Sequence, residues 1–417
     1  MAKTFVGIGF GPIQSGLFLL EAFASGNFER LVVAEVVPEV VASVRRSRGS
    51  YWINVAEAGG LRSRKVAGLE IYNPLDAEDE PKLLAAIASA EEIATALPSV
   101  EFYDRGTPSP ARLLASGFRR KLLHRELPST VVYAAENDNH AAELLRDAVR
   151  AQLDPAERLR LDDRVQFVNT VIGKMSGVVS DPLLVQRDSL VPFIEEGHQA
   201  VLVEEFNRIL INRIELDGFE RGIEVFQEKS DLLPFEEAKL YGHNAAHALM
   251  GYLANRRHVT YMHEVSSSDL LPFVEQAFLE ESGGALCRRH TGVDQLFTKS
   301  GWAKYVDDLL TRMINPYLRD RVDRVIRDPR RKLGWNDRLI GTMRLALEQK
   351  LGSRRYALGA AAAVELLLAT EPNQSVSKLF ESIWGSSESR IDQNAIVGQI
   401  EKAREELRDF ARKCNSI

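Results

Sequence analysis

Thr4-Phe-Val-Gly-Ile-Gly9-Phe-Gly11-Pro-Ile-Gln14-Ser-Gly16, followed by the apolar run Leu17 to Leu20, reads as a short buried strand, a glycine turn and a helix. In that context a G-x-G-x-x-G pattern has a physical meaning as a dinucleotide fingerprint. Gly9 makes the tight turn, and Gly11 lets the backbone approach a pyrophosphate at the helix N-terminus. The third glycine is replaced by Gln14, so strand and helix are expected to sit slightly further apart, with Gly16 restoring some of the close approach. A second buried-strand candidate, Arg30 to Ala34, ends in Glu35, at the spacing the fingerprint requires. A carboxylate there accepts hydrogen bonds from a ribose 2′-hydroxyl and repels a 2′-phosphate, which favours NAD over NADP. The competing reading makes Glu35 a cap for the next helix, and Arg45 and Arg46 lie close enough in sequence to weigh against NAD.

Composition narrows the field. A chain of 417 residues exceeds what one core usually supports, so two domains are expected. It is 45% hydrophobic and 27% charged, ordinary for a soluble globular protein. A net charge of −6 gives no electrostatic case for nucleic acid. Two cysteines, Cys287 and Cys414, cannot build a disulfide framework or a cysteine-rich metal site. There is no signal-peptide pattern, and the apolar run Gly359 to Ala369 is too short to span a bilayer. The expectation is a soluble cytoplasmic protein without a membrane partner, a monomer or small homo-oligomer.

Short strands and helices continue to alternate. Ile93 to Leu97 and Thr130 to Ala135 are strand candidates, and the second runs into Glu136-Asn137. Ligands of open α/β sheets bind outside the carboxyl ends of strands, which places Asn137 at a site; it could equally cap a helix over 138–150. Val165 to Val168 is another strand, 176–197 reads as loop, Ala200 to Ile214 is apolar, and 217–230 reads as a crossover. From Leu232 onward helical periodicity dominates. The predicted architecture is an α/β Rossmann-like dinucleotide-binding domain over 1–230, followed by a mainly α-helical domain over 231–417.

Within the second domain, Phe235 to Ala254 is an amphipathic helix with an unusual polar side. At about 100° per residue, Lys239, His243, His247 and Asn244 share one side of it. Three readings compete: a solvated face; a metal site built on His243 and His247; and a proton-transfer site. The metal reading lacks the glutamate of H-E-x-x-H, where Asn244 stands, and a third ligand. In the proton-transfer reading Lys239 is the base, His247 a hydrogen-bonding partner and Asn244 a donor to developing negative charge. Further on, Pro316 breaks a helix, and Arg319 to Arg338 carries many arginines interleaved with aspartates. That segment is either a solvated ion-paired helix or a site for phosphate or carboxylate oxygens.

These residues carry a resemblance. Lys239-Leu-Tyr-Gly-His-Asn244-Ala-Ala-His247 resembles the K-x4-N-x2-H signature of the polyol-specific long-chain dehydrogenases. Asn315-Pro-Tyr-Leu-Arg-Asp-Arg-Val, Arg331-Lys332-Leu, Asp337-Arg-Leu-Ile, Glu136-Asn137 and Val203-Glu-Glu-Phe206 resemble those members that act on a hexitol phosphate. The likeness runs in order from the glycine turn to about Leu339. It implies a metal-independent, NAD-linked interconversion of a polyol, such as mannitol 1-phosphate, and its ketose, in a cleft between sheet and helical domain. By resemblance Lys239 is the general base, Asn137 and Asn244 hold the alkoxide oxygen, and His247 hydrogen-bonds the substrate. Arg312, Lys174, Arg331 and Lys332 become substrate-binding residues. Where members carry an Asp-Arg pair this chain has Gly173-Lys174, and 188–199 is an insertion relative to short members. An unphosphorylated polyol or aldonate, a flavin enzyme and a non-catalytic NAD-binding sensor are the alternatives.

Overall fold

The computed structural model describes residues 3–195, 197–371, 374–385 and 390–414. The chain divides into two compact units, Met1–Leu233 and Pro234–Ile417.

The first unit is built on twelve strands: β1 (Lys3–Ile8), β2 (Phe28–Ala34), β3 (Tyr51–Glu57), β4 (Gly60–Val66), β5 (Leu69–Tyr72), β6 (Glu92–Thr95), β7 (Thr130–Ala134), β8 (Val165–Val171), β9 (Ser176–Val179), β10 (Ala200–Glu204), β11 (Ile209–Asn212) and β12 (Phe226–Lys229). Eight of them form one sheet in the order β12-β11-β8-β7-β6-β1-β2-β5. Its β5-β2-β1-β6-β7-β8 run is parallel, and β11 joins β8 antiparallel. Chain order reverses direction at β1, which has β2 on one side and β6 on the other. That is the topological switch point where open α/β sheets leave a crevice. The near-continuous apolar strands follow from burial on both faces. One face packs against helices Glu80–Ser89, Pro110–Leu123 and Ala141–Ala151 through Leu83, Ile87, Leu114, Phe118 and Leu145.

The opposite face carries a second sheet that the sequence reading did not anticipate. Strands β4-β3-β10-β9 form it, with β3 and β10 parallel. Edge strand β4 has the sequence Gly-Leu-Arg-Ser-Arg-Lys-Val, and only its Val66 is buried. Its polar residues are what blunts an open sheet edge, and they also erase the apolar signal of a strand. The 188–199 insertion belongs to this region: Phe193 packs against Phe10 and Tyr51, and its carbonyl accepts the Trp52 amide at 2.8 Å.

The glycine turn departs from expectation in an instructive way. The glycine missing at 14 is compensated at Gly7 on β1, where a Cβ would lie 2.3 Å from the Gln14 amide nitrogen. The Gln14 side chain therefore folds back over the strand into space a side chain would fill. Gly16 does make a close approach, but to Val203 of β10, which a Cβ would meet at 2.6 Å. It seats the first helix on the second sheet.

The second unit is helical. Helix Lys299–Met313 ends before Pro316, and Asn315 caps the following turn by accepting the Tyr317 amide at 2.9 Å. No helix among the described residues is long and apolar enough to cross a membrane.

Candidate active site

A cavity of 840 Å³ opens at the carboxyl ends of β1, β2 and β6 in the first unit. Gly9, Gly11 and Glu35 line it, together with Phe10, Leu97 and Phe102. Gly9 has φ +86°, and a Cβ there would press on the Ala96 carbonyl at 3.1 Å; beside Gly11 there is open space within 4 Å. The turn is thus forced to be glycine at one position and left approachable at the other, which fits a pyrophosphate. Glu35 accepts the Val37 amide at 2.9 Å through one carboxylate oxygen, just ahead of helix Pro38–Arg46. Arg45 is committed elsewhere: its guanidinium donates to the Ile71 carbonyl and to buried Asp79. Gln14 and Gly16 do not line the cavity.

Sequence reasoning passed over what shapes the far wall. Glu136, buried, accepts hydrogen bonds from Thr95 Oγ1 at 2.9 Å, from the Leu97 amide at 2.8 Å and from the Tyr103 hydroxyl. Burial raises its pKa against the pull of these donors. It ties the 95–103 segment to the end of β7. Asn137, next to it, is exposed in the turn after β7; the helix that follows starts at Ala141, with His140 at its cap position. Lys174 is buried in the same unit and donates to the Phe206 carbonyl at 2.9 Å.

In the second unit, the amphipathic stretch is not one regular α-helix. It runs α over Leu233–Glu237, π over Ala238–Asn244 and α over Ala245–Arg256. A π turn closes i to i+5, so it brings position 244 closer to lying over position 239 than an α-helix does. The wide turn is held from outside. Gly242 lies against Phe278 and Trp302, where a Cβ would meet both rings at 3.1 Å. Thr342 Oγ1 donates to the Tyr241 carbonyl at 3.1 Å.

The electrostatics of this segment are set by crowded cations. Burial, with Arg338 beside it, pulls the Lys239 amine down to about 8, and Glu236 opposes the shift. His243 is buried and pushed well below its ordinary value, first by burial and then by His247, Arg312, Lys239 and Arg338. It is therefore a neutral imidazole. His247 Nε2 lies 2.9 Å from Asp320 Oδ2. Arg312 is mostly buried and pairs with Asp308 at 3.2 Å. Lys332 is buried, donates to the Arg327 carbonyl and is lowered to about 8 by burial, Arg338 and Arg331. Arg331 is half-exposed and pairs with Asp328 at 2.8 Å. Of the expected residues, Lys239, His247 and Arg312 act electrostatically on His243, as does Arg338, which also acts on Lys332; Asn244 follows His243 on the wide turn, and Asn137 and Lys174 belong to the other unit. Among the described residues no group of three or more His, Cys, Asp or Glu is placed to hold a metal ion.

The class that this architecture defines is the Rossmann-type dehydrogenase. A crystal structure of D-sorbitol dehydrogenase in substrate-free form superposes with a TM-score of 0.76, covering 98% of this chain and 93% of that one at 14% identity. Mannitol 2-dehydrogenase of Pseudomonas fluorescens, in a ternary complex with NAD and D-mannitol, gives 0.70, with 98% and 92% coverage at 14% identity. Residues 231–399 match the mannitol dehydrogenase C-terminal domain. Mannitol-1-phosphate 5-dehydrogenase of Geobacillus thermodenitrificans is 31% identical over 80% of this chain and 79% of its own length. That of Halalkalibacterium halodurans is 27% identical over 89% and 90%. The chain belongs to the mannitol dehydrogenase family and is an oxidoreductase.

Proposed function

We propose that the protein is an NAD-dependent dehydrogenase that interconverts a phosphorylated hexitol, of the mannitol 1-phosphate type, and its ketose. The observation that carries the reading is the placement of Lys239 and Asn244 on one wide turn of the second unit, just before His247, with the lysine buried and its amine lowered to about 8 by burial and Arg338. An amine at its ordinary value of about 10.4 is a poor base at neutral pH; one at this value exchanges protons readily in both directions. Lys239 takes the hydroxyl proton of the substrate, and the Asn244 carboxamide donates to the oxygen as negative charge develops on it. His247 hydrogen-bonds a neighbouring hydroxyl.

Gly9, Gly11 and Glu35 would hold the cofactor, which the first unit's cavity suits in its position at the switch point. Bound NAD supplies the hydride acceptor. Lys332, buried and with Arg338 and Arg331 acting on it, supports an anionic group on the substrate.

A second reading, a free polyol, is favoured by the ion pairing of the basic segment. Arg321 pairs with Asp323, Arg324 with Asp320, Arg330 with Glu371, and Arg338 with Asp337. The test is NADH absorbance with mannitol 1-phosphate, other hexitol phosphates and free hexitols side by side, with and without a chelator. Fastest turnover on a phosphorylated hexitol, unaltered by the chelator, is expected. Failure to form NADH from any polyol would overturn the dehydrogenase reading, and preference for free hexitols would replace the first substrate class by the second.

A further inference from the structure

We propose that Asp320 is the positioning residue of His247: it accepts a hydrogen bond from Nε2–H, so that Nδ1 is the nitrogen that meets the substrate and accepts a hydrogen bond from a hydroxyl. The inference rests on the reading of His247 as the substrate's hydrogen-bonding partner.

The geometry is specific. Asp320 Oδ2 lies 2.9 Å from His247 Nε2, and its side chain is only 1% exposed. The other carboxylate oxygen, Oδ1, receives Arg324 Nε at 2.8 Å and Nη2 at 2.6 Å. Burial would raise this carboxyl, but the hydrogen bond from His247 and the charge of Arg324 hold it below its ordinary value. An ionised carboxylate has no proton to donate, so Nε2 must be the donor, and the second nitrogen of a neutral imidazole is then an acceptor.

The backbone delivers Asp320 to that point by a costly route. Arg319, immediately before it, has φ +53°, a left-handed conformation uncommon outside glycine. The segment is clamped on both sides: the Asp320 carbonyl accepts the Met262 amide at 2.9 Å, and the Val322 amide donates to the Thr260 carbonyl at 3.0 Å. It lies along the same helix as His247. Gly251, one turn on, leaves room for Val325, which a Cβ would meet at 2.6 Å, and the Tyr252 hydroxyl donates to the Ile326 carbonyl at 3.2 Å. A buried charge pair contributes little to stability against an apolar replacement, so such an arrangement points to orientation of the ring.

Histidine-selective ¹⁵N NMR of the wild-type protein reads the tautomer directly, at about pH 8.5, well above the ordinary imidazole value. The His247 signal, assigned by its loss in His247→Ala, should show the Nε2–H form; an Nδ1–H form overturns the proposal. In Asp320→Asn, Arg324 holds the amide oxygen and turns the NH₂ group toward Nε2, which forces the other tautomer. Polyol kcat/KM should then fall by about 10- to 100-fold with NADH affinity unchanged. In a His247→Ala background the same substitution should cost nothing more. Equal losses in both backgrounds would mark a scaffold role and overturn the proposal. Should the wild type oxidise no polyol, the proposed function fails, and the tautomer still decides whether Asp320 sets the ring.

Discussion

Each unit holds a lysine whose pKa is pulled far down, and the two have little else in common. Lys121, in the helix layer of the first unit, is fully buried and lowered to about 7, chiefly by burial and then by Arg164. Its amine donates to the Ala90 carbonyl at 3.1 Å and the Pro128 carbonyl at 2.5 Å. Those two acceptors favour the charged form and pin the group in place, opposing the effect of burial. Lys239 reaches about 8 on a helix face that also carries two histidines and an asparagine, with Arg338 as its main charged neighbour. A displaced pKa therefore does not identify a base; the chemistry around the amine does.

Substitutions separate the two lysines. Lys239→Ala should lower kcat for polyol oxidation by about 10²- to 10⁴-fold while NADH binding persists. Retained turnover would erase the distinction. With Lys239 intact, oxidation needs the unprotonated amine and should climb with pH until about 8 and then level; ketose reduction needs the protonated amine and should decline above the same value. Coincident profiles in the two directions would remove the lysine from proton transfer. Lys332→Met tests the third lowered lysine, and should raise KM for the hexitol phosphate by about 10- to 100-fold without changing KM for the free hexitol. Glu35→Ala should raise the Kd of NAD roughly tenfold and that of NADP less, as isothermal titration can measure; equal losses would count against the ribose contact. Smallest in kinetics is Lys121→Met, which should leave kcat and KM alone and cost about 1 kcal/mol in urea denaturation.

What could be read from the chain and what could not differ in physical kind. The glycine turn and Glu35 were legible because a backbone needing positive φ and a carboxylate at a strand end leave local traces. The helical character of the stretch around Lys239 was legible because helical spacing is periodic, but the wide turn that draws Asn244 toward Lys239 leaves no such trace. Strand β4 was not legible, since an edge strand carrying Arg62, Arg64 and Lys65 lacks the apolar alternation that marks a strand. Asp320 was hidden among other aspartates in a basic stretch. Its distinction is spatial: it is buried against a histidine 73 positions earlier in the chain, while Asp323 nearby faces solvent. The burial of Lys332 among half-exposed arginines had no sequence signal either.

The wide turn at Ala238–Asn244 carries one last implication. Rewinding the segment as an ordinary α-helix without loss of a residue would turn Asn244 and His247 by roughly 90° relative to the amine. Every polar group would survive, yet their aim would be lost. The winding of the backbone at this turn is thus as much a determinant of the chemistry as residue identity, and closing it at unchanged length would misdirect the polar groups without removing one of them.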